Sequence, residues 1–175
     1  MNQTFQEITA DIVAYPLFQN LKNCPHHGKQ NSLFDHSVDT AYCAFRLARY
    51  FGLSEERVRA VTRAAMLHDF FLYDWRDPAH RRYMRQYRGL QRLRRMHAFT
   101  HGILAARRAG RRFELDDRQR SAIISHMFPL APLPRNSEAW ILTLADKVVA
   151  SREMSEAAAL KILRWCHLPR RHAAA

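Results

Sequence analysis

"AAMLHDFFLYDW", residues 64–75, decides how the rest of the chain is read. It closes an apolar helical stretch, yet His68 and Asp69 stand side by side inside it. Burying an imidazole and a carboxylate without partners costs several kcal/mol, so the pair must hold something. Val58, Val61, Ala65 and His68 follow the i, i+3, i+7, i+10 stripe of a helix expected over 55–72, which turns His68 to the core face. Asp69 is expected about 100° further round the same cylinder, where both side chains can flank one centre.

Outward from this stretch, apolar residues recur at helical spacing almost throughout, and no alternating strand pattern is present; the expectation is an all-α fold. Helices are expected over about 4–21, 32–51, 55–72, 79–94, 97–109, 117–127, 137–152 and 155–166. Ser32, Ser54, Asp116 and Asn136 stand where helices start, and Gly52 and Gly110 where they end in a left-handed residue. "FPLAPLPRN", 128–136, cannot continue a helix. No repeat or linker divides the chain, so residues 1–175 are expected to form one domain, with a core over about 27–152 and peripheral helices at both ends.

Three widely spaced cysteines, Cys24, Cys43 and Cys166, argue against a disulfide framework and for a reducing compartment. With no basic, then apolar leader and no long uncharged span, a cytoplasmic protein without a membrane association is expected. The formal net charge is +12, with 24 Arg against 4 Lys, concentrated in "RRYMRQYRGLQRLRRMH" (81–97) and "RRAGRR" (107–112). Such a surface attracts nucleotides, nucleic acid or other anions; it equally fits a solvated face.

Ten histidines make their placement informative. His36 shares a helix face with Thr40, Ala44 and Leu47; His126 lies in line with Gln119 and Ile123; Asp146 lines up with Leu142 and Val149. His97 and His101 are i, i+4 neighbours. One histidine on an apolar face is ordinarily a satisfied core residue. Several such histidines and two aspartates in one small core are hard to satisfy one at a time, whereas metal coordination satisfies them together.

The order His36, His68-Asp69, Asp146 resembles the H…HD…D signature of the HD-domain metal-dependent phosphohydrolase superfamily, over about residues 27–150. His101 and His126 resemble the additional histidines of its dinuclear members, which include HD-GYP phosphodiesterases and HD-type diiron oxygenases. The Lys and the Gly-Tyr-Pro triplet of HD-GYP proteins are missing around "HDFFLYDW", which argues against a cyclic-di-GMP substrate. Dinuclear relatives commonly carry His-Pro where this chain has His101-Gly102, so either His97 or His101 is open as the ligand there.

The resemblance implies an all-α HD bundle around two divalent transition-metal ions, drawn from Fe, Mn, Zn, Ni and Co. It implies that Asp69 bridges them as the central catalytic ligand, with His36, His68 and Asp146 on one side and His101 and His126 on the other. The expected reaction is hydrolysis of a phosphoester, on a nucleotide or another small phosphorylated metabolite, by a metal-bridging hydroxide. Lys147, Arg76 and His27 are candidates to meet the anionic substrate, and Asp74 and His97 to orient ligands; each has an ordinary loop, helix-end or surface role as its alternative. Two other functions fit the same residues. One is a diiron oxygenase; the other is a non-enzymatic basic module that binds RNA or nucleotide.

Overall fold

Pro16 cuts the first expected helix in two. The computed structural model describes residues 3–24, 32–72 and 77–167. Helix α1 runs over Gln3–Ala14 and α2 over Pro16–Gln19, followed by a 3₁₀ turn at Asn20–Asn23. Proline lacks the N–H that would continue α1 and pushes Tyr15 into extended backbone (φ −73°, ψ 123°). The remaining helices are α3 (Leu33–Tyr50), α4 (Glu55–Leu67), α5 (Pro78–Arg85), α6 (Gly89–Arg95), α7 (His97–Ala109), α8 (Asp117–Ser125) and α9 (Ser137–His167). Among the described residues there is no strand, and the fold is all-α.

Several starts follow their caps. Ser32 with Asp35, and Asp116 with Gln119, form reciprocal capping boxes, and Asn136 accepts from the Ala139 N–H. Ser54 stands at its expected start, but its side chain makes no capping bond. Gly52 is left-handed (φ +68°), as the end of α3 requires, whereas Gly110 ends α7 in right-handed geometry (φ −65°).

Three expected boundaries are corrected. α4 stops at Leu67, which leaves His68 as its C-cap and puts Asp69 in the following turn rather than on the helix cylinder. The expected 79–94 helix breaks before Gly89, whose φ of +52° starts α6 in a new direction. The two helices expected at the C-terminal end are one, because neither Pro nor Gly occurs between Ser137 and His167 to stop it.

Phe5, Ile8 and Ile12 are the buried face of α1, which packs on α4. α3 packs on α4 and on α9, with Ala41, Ala44 and Ala48 of α3 and Ala64 and Ala65 of α4 wholly buried. α8 fills the space between α4, α7 and α9. Gly102 permits the closest approach: a Cβ there would lie 2.8 Å from the Ile123 carbonyl oxygen on α8. Arg57, at the start of α4, grips the buried Glu138 of α9 through bonds of 2.7 and 3.1 Å. Among the described residues no helix is long and apolar enough to cross a membrane.

Candidate metal centre

The turn after α4 is held in place from both ends. Phe70 and Phe71 are almost wholly buried, and Phe70 lies among the rings of Tyr15, Phe18 and Phe113. Burial of each phenylalanine contributes about 2 kcal/mol, enough to make the turn a fixed part of the core. Arg108 of α7 donates to the Phe71 carbonyl. The apolar residues of "HDFF" thus anchor the segment while the polar pair faces inward.

Six sequence-predicted residues converge there. His36 comes from α3, His68 from the end of α4, Asp69 from the turn, His101 from α7, His126 from the end of α8 and Asp146 from α9, all buried. Their ligand atoms form two triads, His36–His68–Asp69 and Asp69–His101–His126, each with its atoms within 4.8 Å of one another. Asp69 belongs to both. Its Oδ2 faces His68 Nε2 at 3.6 Å, and its Oδ1 faces His101 Nε2 at 3.5 Å and His126 Nε2 at 3.8 Å. Asp146 Oδ1 lies 3.3 Å from His36 Nε2 and 3.7 Å from His68 Nε2.

Each imidazole is oriented from behind. Nδ1 of His68 donates to the Ala65 carbonyl (2.7 Å), that of His101 to the His97 carbonyl (2.8 Å), and that of His126 to the Ile123 carbonyl (2.7 Å). Carbonyl oxygens only accept, so Nδ1 carries the hydrogen and the neutral ring presents an Nε2 lone pair to the centre. His36 Nδ1 bonds the buried Glu153 carboxylate at 3.2 and 3.3 Å. This is the arrangement by which outer partners fix ligand histidines.

The donor set fits metal better than it fits itself. His101 Nε2 and His126 Nε2 meet at 2.9 Å, yet with both Nδ1 atoms protonated two neutral rings bring lone pair to lone pair. A proton on one ring or a shared cation must relieve that contact. His68 Nε2 and Asp69 Oδ1 are buried and make no hydrogen bond. The separations around them, 3.5–3.8 Å, are a few tenths of an ångström wider than the tetrahedral edge of about 3.4 Å for bonds near 2.1 Å, close enough for a cation to draw the donors together.

With no ion bound, the two carboxylates set the charge of the centre and hold the His36 and His68 imidazoles above their ordinary value against burial. Burial opposes charge on His36, but hydrogen bonds to Asp146 and Glu153 and the Asp69 charge outweigh it and hold the group up to about 10. Burial and the neighbouring His68 and His101 charges push His126 down to about 3, which leaves it a neutral donor at neutral pH. Burial would raise Asp69, but the surrounding imidazoles hold its carboxyl well below the carboxylate range. Asp146 is lowered in the same way, with the His36 and His68 imidazoles beside it overcoming burial. The centre is built to keep anionic carboxylates among neutral or cationic imidazoles.

A family model described as HD domain matches residues 33–151. The chain belongs to the HD domain family. Its HD pair is His68-Asp69, and all six converging residues lie within the matched stretch. HD domains form a metal-dependent, hydrolase-type superfamily, and the two His/Asp triads of this one could hold metal. Comparison with curated proteins gave no match, and comparison with solved structures gave none either.

Of the histidines at the start of α7, it is His101 whose ring nitrogen reaches Asp69. His97 stacks on the His101 ring (4.5 Å between centroids), meets Phe71 edge-on, and lends its carbonyl to orient His101. Lys147 lies at the rim of the HD centre: its ammonium is 3.1 Å from Asp146 Oδ2 and 3.2 Å from the His126 carbonyl, and its side chain is half-exposed. His27, Asp74 and Arg76 lie outside the described residues. Glu153 was missed by sequence reasoning. It stands i+7 from Asp146 on the same face of α9, two residues past the family match.

Proposed function

We propose that this HD domain is a metal-dependent phosphohydrolase that acts on a small phosphoester through two divalent ions sharing Asp69. The observation that carries the reading is the division of one carboxylate: Oδ2 faces the His36/His68 side and Oδ1 the His101/His126 side, each side lined with pre-oriented Nε2 atoms. His36, His68 and Asp146 complete one sphere, and His101 and His126 the other. Two ions so placed would activate a water and stabilise the attacking and leaving oxygens of an in-line displacement. Lys147 contributes a positive charge at the rim, against Asp146 Oδ2, and offers a proton donor to a phosphoryl oxygen. His97 and Phe71 pack on each other and support the His101 ring. The reading takes the setting to be a reducing cytoplasm, supported by three cysteines at wide, irregular spacing.

Elemental analysis of protein purified without chelator tests this, alongside hydrolysis of aryl phosphate esters. The expected result is near two ions per chain in the wild type, none in Asp69→Ala, and about one in His101→Ala. No metal after reconstitution with Mn, Fe or Zn would overturn the reading. Iron-loaded protein that consumes oxygen and hydrolyses no phosphoester would replace it with oxygenase chemistry.

A further inference from the structure

The chain leaves the HD centre after Leu72 and returns to it at His97, and what it builds in between has no place in the core. None of the residues of α5 is buried, and the described side chains of α6 are exposed. Residues 78–96 contain seven arginines, at 81, 82, 85, 88, 92, 94 and 95, and no Asp or Glu. Arginine ion pairs among the described residues form elsewhere, at Arg49–Glu55, Arg57–Glu138, Arg63–Asp11 and Arg152–Asp39. Asp77, which precedes the arm, is engaged in capping the Ala79 N–H.

One device folds the arm on itself. Tyr83 and Tyr87, i and i+4, meet edge to face at 5.3 Å, and the Tyr87 hydroxyl donates to that of Tyr83. Arg95, from the far end of α6, lays its guanidinium 4.3 Å above the Tyr87 ring and donates to the Tyr83 hydroxyl. Beside Tyr83, a shallow hollow of about 820 Å³ is lined by Asp77, Pro78, Ala79, Arg82, Tyr83 and Gln86. It places a ring for stacking, an amide for hydrogen bonding and a guanidinium for a phosphate in one depression, with further arginines on either side.

We propose that the α5–α6 arm is a binding surface for single-stranded nucleic acid, with a base stacked at Tyr83 in this hollow and the flanking phosphates on Arg82, Arg85 and Arg88. Guanidinium forks match phosphate oxygens, and tyrosine faces accept any base, the combination that single strands select. An anionic bilayer would call for a broad aliphatic face; among the described side chains of the arm Leu90 and Met96 are the exposed aliphatics, and the tyrosine hydroxyls are tied into polar contacts. The far end of the arm runs directly into His97, at the start of the helix that carries His101.

Fluorescence anisotropy with a labelled oligouridylate of about 20 nucleotides, the full chain and a salt series tests the surface. If about four phosphates are neutralised, affinity falls about 50-fold between about 50 and 200 mM salt. Replacing Arg82, Arg85 and Arg88 together by Ala should lower the log–log salt slope by about 2, and Tyr83→Ala should weaken binding about tenfold. Since Arg82, Tyr83, Arg85 and Arg88 are all exposed, these variants should keep the wild-type melting temperature. The same affinity with and without chelator would support the surface and separate it from the metal reading, whose failure would leave this binding intact. Absence of binding at low salt, wild-type binding by the triple variant, or duplex bound as well as single strand with Tyr83→Ala silent would each overturn the proposal. So would capture by phosphatidylglycerol vesicles without capture by the oligonucleotide.

Discussion

In the centre of the bundle, His36, His68, His101 and His126 each have one ring nitrogen fixed by a carbonyl or by Glu153 and the other aimed at Asp69 or Asp146. In the α5–α6 arm, Arg95 is committed to Tyr83 and Tyr87, while Arg81, Arg82, Arg85, Arg88, Arg92 and Arg94 are exposed and form no ion pair among the described residues. Both regions concentrate polar groups of one kind. The buried set has its orientation fixed before any ligand arrives, at the cost of desolvation; the exposed set is hydrated and adaptable. A site that must hold ions at fixed separations suits the first arrangement, and a surface that meets an irregular polyanion suits the second.

The sharpest way to break this contrast is to remove the carboxylate shared by both triads. Asp69→Ala should abolish metal retention and lower phosphoester hydrolysis on the order of 10³-fold or more, since several kcal/mol of transition-state stabilisation is lost; elemental analysis and initial rates report it. Gly102→Ala tests how tightly the two histidine-bearing helices must approach. Its methyl would press on the Ile123 and Ile124 carbonyls and the His126 ring, so a loss of about 3 kcal/mol is expected, read as a fall of roughly 6–12 °C in melting temperature.

Arg57→Ala should cost about 2 kcal/mol in a denaturant titration. It uncovers the buried Glu138 carboxylate, which retains the more distant Arg118 at 3.7 Å. The hydrogen bond from Arg57 holds the Glu138 carboxyl below its ordinary 4.5 despite burial. This contribution is therefore fully present above pH 4.5 and disappears as pH falls through the lowered folded value, so the wild type and Arg57→Ala should converge in stability under acid. Glu153→Gln keeps an acceptor for His36 but not its charge, and should weaken metal binding about tenfold by competition with a chelator dye. The smallest effect belongs to the arm: Arg92→Ala should change stability by less than about 0.5 kcal/mol. A larger loss would show that the arm is structural after all.

The cluster was legible because its residues obey helical periodicity on apolar faces: His36 beside Thr40 and Ala44, His126 beside Ile123, Asp146 beside Leu142 and Val149. Where α4 ends was not legible, since apolar residues continue on both sides of His68-Asp69, from Met66 to Leu72. What stops the helix is tertiary, namely the burial of Phe70 among distant rings and the capping of Ala65 by His68. Glu153 escaped for a related reason. A break expected between 152 and 155 placed it in a connection, and only on the continuous α9 does it fall on the face of Asp146. For residues 79–94 the sequence carries a strong amphipathic signal, but periodicity does not distinguish a helix packed on a core from one standing in water.

The ends of α4 and α8 have one more consequence. Both helices terminate at the centre, and His68 and His126 are their C-caps. Peptide dipoles sum to roughly half a negative charge at each such terminus, so two partial negative poles converge where the imidazoles meet. That field adds to Asp69 and Asp146 in drawing cations inward, and it opposes any anion that approaches without them. Metal would therefore have to be in place before a phosphate could enter, which makes loading an ordered process: cation first, anion second.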